Sequence, residues 1–231
     1  TSFMGEIDIR RGLQELWNLL SDSQRIEVLD SAIVQTFRKG ESIYKVGEES
    51  VYLVCMLKGR VKLEKLGIGG RMQIMRMFRP GDNFGYRSYF AVQEHVTEAV
   101  AMETTQVALI PMNLIERICM ENPMLAMYFV RNLATDLGAS DERTVNLTQK
   151  HIRGRLADSI IFLIDKYGFE PDGITINAPL SRDDLAALSN MTTSNAIRTL
   201  ATFVKEEIIE LEGRRIRVLS REKLRRINAN G

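Results

Sequence analysis

Apolar positions recur at helical spacing over residues 9–31, give way to short β-rich runs over residues 32–111, and return to helical spacing after Pro111. Leu13, Leu16, Trp17, Leu20, Ile26 and Leu29 make the first stripe, which predicts helix throughout residues 9–31. In the middle segment, glycines at 40, 47, 59, 67, 69, 70, 81 and 85 punctuate six strand candidates. These are Ile43–Tyr44, Tyr52–Leu57, Arg60–Lys65, Met72–Phe78, Thr97–Met102 and Gln106–Ile110. Lys58-Gly59 and Gly69-Gly70 are the tightest hairpin signals, and the close, even spacing predicts an antiparallel barrel or roll.

Beyond Pro111 a short helix is predicted at about Asn113–Glu121, stopped by Pro123, and a long one from there towards Lys150. Val130, Leu133, Leu137, Ser140, Thr144, Leu147 and His151 alternate at intervals of three and four. That is the spacing of a coiled-coil seam, apolar first and polar in its middle, and it predicts pairing with a second copy. His151-Ile-Arg-Gly154 ends the seam with the glycine as a candidate hinge. A helix over Arg155–Tyr167 follows, then a turn at Pro171-Asp-Gly173 and a strand over Ile174–Asn177.

Leu180–Leu219 reads as helix, turn, helix and two-stranded ribbon. Ser181 with Asp184 three residues on has capping-box spacing, and Asn190 suits a left-handed helix end. Thr192 caps a second helix whose Ala196, Leu200 and Phe203 share one face. Its other face carries Thr193, Ser194 and Arg198. Gly213 turns strands Ile208–Glu212 and Arg215–Leu219 into a hairpin. This order fits a winged helix-turn-helix, whose second helix enters the DNA major groove.

Composition sharpens the picture in three places. The 231 residues are 26% charged and 45% hydrophobic, enough for two domains with separate cores. No apolar run approaches the ~20 residues of a membrane span, and TSFMGEIDIRRG lacks the apolar segment of a secretory leader, so the cytoplasm is the expected compartment. Cys55 and Cys119 sit in apolar runs, form no framework, and fit a reducing environment. Net charge is only +1, but residues 150–231 hold 14 Lys and Arg against 11 Asp and Glu, the sign expected of a DNA-binding half.

Taken in order, roll, long helix, hinge and winged helix-turn-helix resemble the CRP/FNR family of bacterial transcription regulators over essentially the whole chain. The resemblance rests on Lys39-Gly40-Glu41, the Gly47 and Gly59 turns, Phe78-Arg-Pro-Gly-Asp-Asn-Phe-Gly85, Glu121-Asn-Pro123, Gly154-Arg-Leu156 and the Ser181-to-Arg198 helix pair. It implies an α+β fold: a cyclic-nucleotide-binding-like β-roll with its N-terminal helix at residues 1–122, a dimerisation helix and hinge at 123–151, and a winged helix-turn-helix at 152–231. It further implies a homodimer on inverted-repeat DNA, RNA polymerase as a partner, and no enzymatic role. Arg198 stands where the family commonly reads a base, whereas Thr193 and Ser194 replace an arginine and a glutamate, which points to a different target sequence. Ser181, Arg182 and Thr192 are expected to grip phosphates, with Arg214, Arg215 and Arg217 of the wing adding electrostatic contacts.

In the cyclic-AMP-binding members a glutamate follows the roll's Phe-Gly and holds the ribose, and an arginine some ten residues on neutralises the phosphate. Here Tyr86 and Val96 occupy those places, and of that set only Thr97 remains. A phosphate opposite Val96 would lack its charge partner, so cyclic AMP is disfavoured and the effector is left unnamed. The candidate pocket comprises Gly85, Tyr86, Arg87, Ser88, Val96 and Thr97, with Ser140 and Thr144 of the seam. Residues 1–30 hold no cysteine cluster for an oxygen-sensing mechanism. Haem is an alternative cofactor, drawing on His95, His151, Cys55, Cys119 or the eleven methionines, although none shows a recognisable ligand spacing. The alternative function is a ligand-binding or protein-interaction module of this fold that no longer reads DNA. An enzyme regulated by the roll is poorly supported, because no nucleophile–base pair, metal motif or phosphate loop is present.

Overall fold

A computed structural model describes the backbone of residues 3–231 and the side chains of residues 5–231. The chain divides into two compact units. The first runs up to Lys65 and resumes over Met75–Leu137; the second combines Leu66–Ile74 with Gly138–Gly231.

The N-terminal stripe folds as three helices, α1 (Phe3–Leu13), α2 (Glu15–Leu19) and α3 (Asp22–Ser31), where one had been expected. Gln14 breaks the first junction at φ 47. At the second, Ser21 and Gln24 close a reciprocal capping box that satisfies free helix donors and starts a new helix. The restart rotates the apolar face, so Val28 is buried and Ile26, expected inside, is 59% exposed.

Eight strands make the roll: β1 (Ile33–Phe37), β2 (Ser42–Tyr44), β3 (Tyr52–Lys58), β4 (Val61–Leu66), β5 (Met72–Phe78), β6 (Asn83–Phe84), β7 (Glu98–Ala101) and β8 (Thr105–Pro111). They form two antiparallel four-stranded sheets, ordered β1-β8-β3-β6 and β2-β7-β4-β5. Between β6 and β7 lies the short helix α4 (Tyr86–Phe90). The unbroken apolar run of β3 has a two-sided cause. Val54 and Met56 face the roll interior with Phe37, Phe78, Phe84, Val107 and Leu109. Leu53 and Cys55, pointing the other way, meet α1, α2 and the helix α5 (Met112–Glu121).

The helix α6 (Pro123–Gln149) enters that second cluster through Leu125 and Phe129. Because its first half is built into the roll's helical layer, the division between the units falls inside α6, at Leu137–Gly138. The helix α7 (Ile152–Tyr167) begins after a break at Lys150–His151. Gly154, the candidate hinge, lies inside α7 and is buried. A Cβ there would stand 2.6 Å from the Cα of Gly231, so its bare backbone serves close packing, not bending.

The expected strand at Ile174–Asn177 is reduced to single bridges, Phe169 with Ile176 and Thr175 with Arg217. Asp172 pulls the chain into a turn by accepting from the N–H groups of Ile174 (2.9 Å) and Thr175 (2.8 Å). After it come α8 (Arg182–Ser189), α9 (Thr193–Lys205), the hairpin β9 (Ile209–Glu212) and β10 (Arg215–Val218), and α10 (Arg221–Asn230), which packs on α7.

Candidate nucleic-acid interface

Two helices and a hairpin build the interface in the second unit. Ser181 caps α8 by accepting from Asp184 N at 3.1 Å, and Asn190 ends it in the left-handed region at φ 52. Thr192 opens α9 by accepting from Asn195 N at 3.2 Å. These caps set the turn from local chemistry alone. Ala196, Leu200 and Phe203 are fully buried, so α9 is fixed in rotation about its axis. Ser194, Ile197, Arg198 and Ala201 are therefore exposed on its opposite side. At the far end Arg153 forks onto the Glu206 carboxylate (2.8 and 3.1 Å) and lies over the Phe203 ring. Lys223 reaches Glu206 O at 3.3 Å, a cation at the carbonyl end of the helix.

The polar residues assigned to DNA divide by what they touch. Thr193 donates its hydroxyl to Asp183 Oδ1 at 2.7 Å, linking the start of α9 to α8. Arg182 donates to Gly213 O at 2.8 Å and so ties the start of α8 to the wing turn. In the wing Arg215 pairs with Glu170, and Arg217 pairs with Glu212 at 2.8 Å. Arg198 and Arg214 are exposed. Arg182 and Arg215 thus hold the wing in place, while Arg198 is the guanidinium presented by α9 itself.

In the first unit the Phe-Gly turn keeps its backbone form. Gly85 sits at φ 94, where a Cβ would stand 2.9 Å from Tyr52 O, and α4 starts directly after it. The side chains around the turn have a different use. Tyr86 is 5% exposed and joins the helical cluster, its ring centroid 4.9 Å from that of Phe129. Burial, with the Asp136 carboxylate, pushes its phenol well above the ordinary range. Asp136 in turn is clamped by both terminal nitrogens of Arg76, one at 2.8 Å. Inside the roll, Tyr44 and His95 stack face to face at 3.6 Å, and Phe78 and Phe84 do so at 4.2 Å. Thr97 hydrogen-bonds the Tyr44 hydroxyl, whose pKa burial pushes up to about 12. Val96 is partly exposed, and the exposed Arg87 donates to Ser88 Oγ at 3.2 Å and Gln93 Oε1 at 3.4 Å.

Residues 34–122 match the cyclic nucleotide-binding domain family, and residues 154–227 match the Crp-like helix-turn-helix domain family. The chain belongs to the CRP/FNR family of transcription regulators. It is 26% identical over 212 residues to Electron transport regulator A of Shewanella oneidensis, covering 90% of this chain and 84% of that protein. It is 26% identical over 210 residues to the Fumarate and nitrate reduction regulatory protein of Vibrio cholerae, covering 89% and 82%. Among solved structures, FixK2 from Bradyrhizobium japonicum superposes with a TM-score of 0.77 at 25% identity, covering 85% of this chain and 97% of that one. CRP/FNR proteins are regulators and not enzymes, and this one carries both the family's roll and its DNA-binding domain.

Within the CRP/FNR frame, several of the candidate pocket residues also have structural partners of their own. Tyr86 faces the helices, Thr97 serves Tyr44, and Arg87 bonds locally. Ser140 and Thr144 are exposed on the second unit's part of α6, where Thr144 donates to Ser140 O at 2.9 Å. Cys55, Cys119 and His151, named as haem candidates, differ in environment. Cys55 is wholly buried with its thiol pushed far up, Cys119 is pushed up to about 11, and His151 is the exposed residue before α7. Among the described residues no group of three or more His, Cys, Asp or Glu is placed to hold a metal ion. Along the seam, Val130 and Leu137 are exposed, but Leu133 packs against the roll's helical cluster.

His95 was overlooked as a structural residue, since a lone histidine in a polar segment gives no sign of burial. Burial, aided by the Arg87 charge and opposed by Glu48, holds its imidazole below the ordinary 6.5. Below pH 6.5 the unfolded chain takes up a proton that the folded one resists, so acid costs stability until the lowered folded value is passed. The melting temperature should therefore fall between pH 7 and pH 5, and less so in a His95→Phe variant that keeps the ring stack. Matching pH profiles for the two proteins would show that His95 is solvated in the fold.

Proposed function

We propose that this chain is a sequence-specific DNA-binding regulator that acts as a homodimer on inverted-repeat sites and answers to an effector other than cyclic AMP. The observation that carries it is α9. One face is fully buried and the other presents Ser194, Ile197 and Arg198 on its first two turns, next to a hairpin wing fixed by Arg182. Arg198 would donate two hydrogen bonds to guanine O6 and N7, while Ser181, Thr192, Arg214 and Arg215 border the phosphates.

Dimerisation is assigned to α6. Met127, Val130, Ala134, Leu137 and Val145 are exposed on one side of it, with Leu137 at 65%. That stripe shares Val130 and Leu137 with the seam expected from the sequence, and Leu133, partly buried, also packs against the roll's helical cluster. A Leu137→Asp variant should be monomeric by light scattering and should lose affinity for palindromic DNA. An unchanged mass would move the interface elsewhere. The roll, residues 1–122, is assigned to the effector, α6 to dimerisation and residues 152–231 to DNA. RNA polymerase is the expected partner once the protein is bound. No described helix is long and apolar enough to cross a membrane, in keeping with the proposed cytoplasmic site of action.

Salt titration of binding to promoter DNA tests the DNA assignment. Affinity should fall linearly on a log–log plot with a slope close to the number of phosphates contacted. A flat response, or no binding, favours the alternative of an interaction module that has kept the fold and lost the groove contacts.

A further inference from the structure

Ile197 is 51% exposed on the same side of α9 as Ser194 and Arg198. A single exposed isoleucine on an ordinary surface needs no explanation. On this helix its surroundings give it one. The first turn of α9 offers few free polar groups: the Thr193 hydroxyl donates its hydrogen bond to Asp183, and Ser194 carries only a short hydroxyl. Arg198, the next residue along, is the long donor of the face. An isoleucine beside it is stiff at χ1 in a helix and projects an apolar tip without a rotamer search. In the major groove one base alone offers an apolar group, the C5-methyl of thymine.

We infer that Ile197 is a specificity-determining residue that packs on the methyl of a thymine next to the guanine taken by Arg198. The inference rests on the DNA-binding function proposed for α9 and adds the base it selects. A helix of this kind reads its half-site through one guanidinium and one apolar contact, so a guanine–thymine neighbour pair should recur in every strong site.

The test is methyl deletion in the DNA. A site is selected from random duplexes, and each thymine of a half-site is replaced in turn by uracil, which lacks only the C5-methyl. One position should weaken wild-type binding about fourfold per half-site, the worth of one buried methyl. Ile197→Ser should bind thymine and uracil equally there, while keeping its dependence on the Arg198 guanine. Uracil tolerated at every thymine overturns the role of Ile197 and leaves the DNA function standing. A uracil penalty that persists in Ile197→Ser assigns the methyl to another residue. Failure to select any duplex overturns both proposals.

Discussion

Replacing Phe129 with alanine should destabilise the first unit by about 3–5 kcal/mol, most of the margin that keeps a domain folded. Phe129 is 2% exposed, and its ring meets Tyr86, Tyr128 and Phe90 at centroid distances of 4.9, 5.2 and 5.6 Å. With Leu125, it anchors α6 in the layer formed by α1, α2, α5 and the outer faces of β3 and β8. Its removal leaves a cavity among aromatic rings whose positions are fixed from several sides, so the site collapses poorly. Urea unfolding of the variant measures the loss. Phe129→Leu, which fills most of the volume, should recover the larger part. A loss under about 1 kcal/mol for alanine would mean that this part of α6 is not packed as described.

The second large effect is on DNA. Arg198→Ala should cost about 1–3 kcal/mol per half-site, and twice that for a dimer on a symmetric site, with discrimination relaxed at one base pair of each half. Stability should not change, because Arg198 is exposed on the side of α9 opposite the buried Ala196, Leu200 and Phe203. Binding isotherms on the selected site and on its single-base variants separate two outcomes. Loss confined to the cognate base pair marks base reading. An equal loss on every sequence marks phosphate positioning.

Much of this was legible in the residues themselves. Caps at Ser181 and Thr192, the left-handed Asn190 and the buried trio Ala196, Leu200 and Phe203 depend on neighbours within a few positions, so local pattern located the reading helices closely. All six strand candidates likewise came within a residue of their observed ends. What escaped was set by distant packing. Strand β1 shows almost no alternation, because four of its five residues are exposed at the edge of a sheet. The fate of Leu133 depends on whether the roll or a second chain claims it. Arg182 and Arg215, named from the sequence for DNA contacts, also bond Gly213 O and pair with Glu170 within their own domain, partners that no local pattern shows. Tyr86 was read from the sequence as a departure from the cyclic-AMP pattern. In the structure its ring is a core side chain of the helical cluster beside Phe129.

The central claim is that this CRP/FNR protein reads a symmetric DNA sequence through α9. Selection from random duplexes with the purified 231-residue chain tests it most directly. The account predicts an enriched inverted repeat with half-site centres ~34 Å apart, one helical turn, and a motif that changes when Arg198 or Ile197 is replaced. Enrichment of no motif, or of one indifferent to both substitutions, would contradict it.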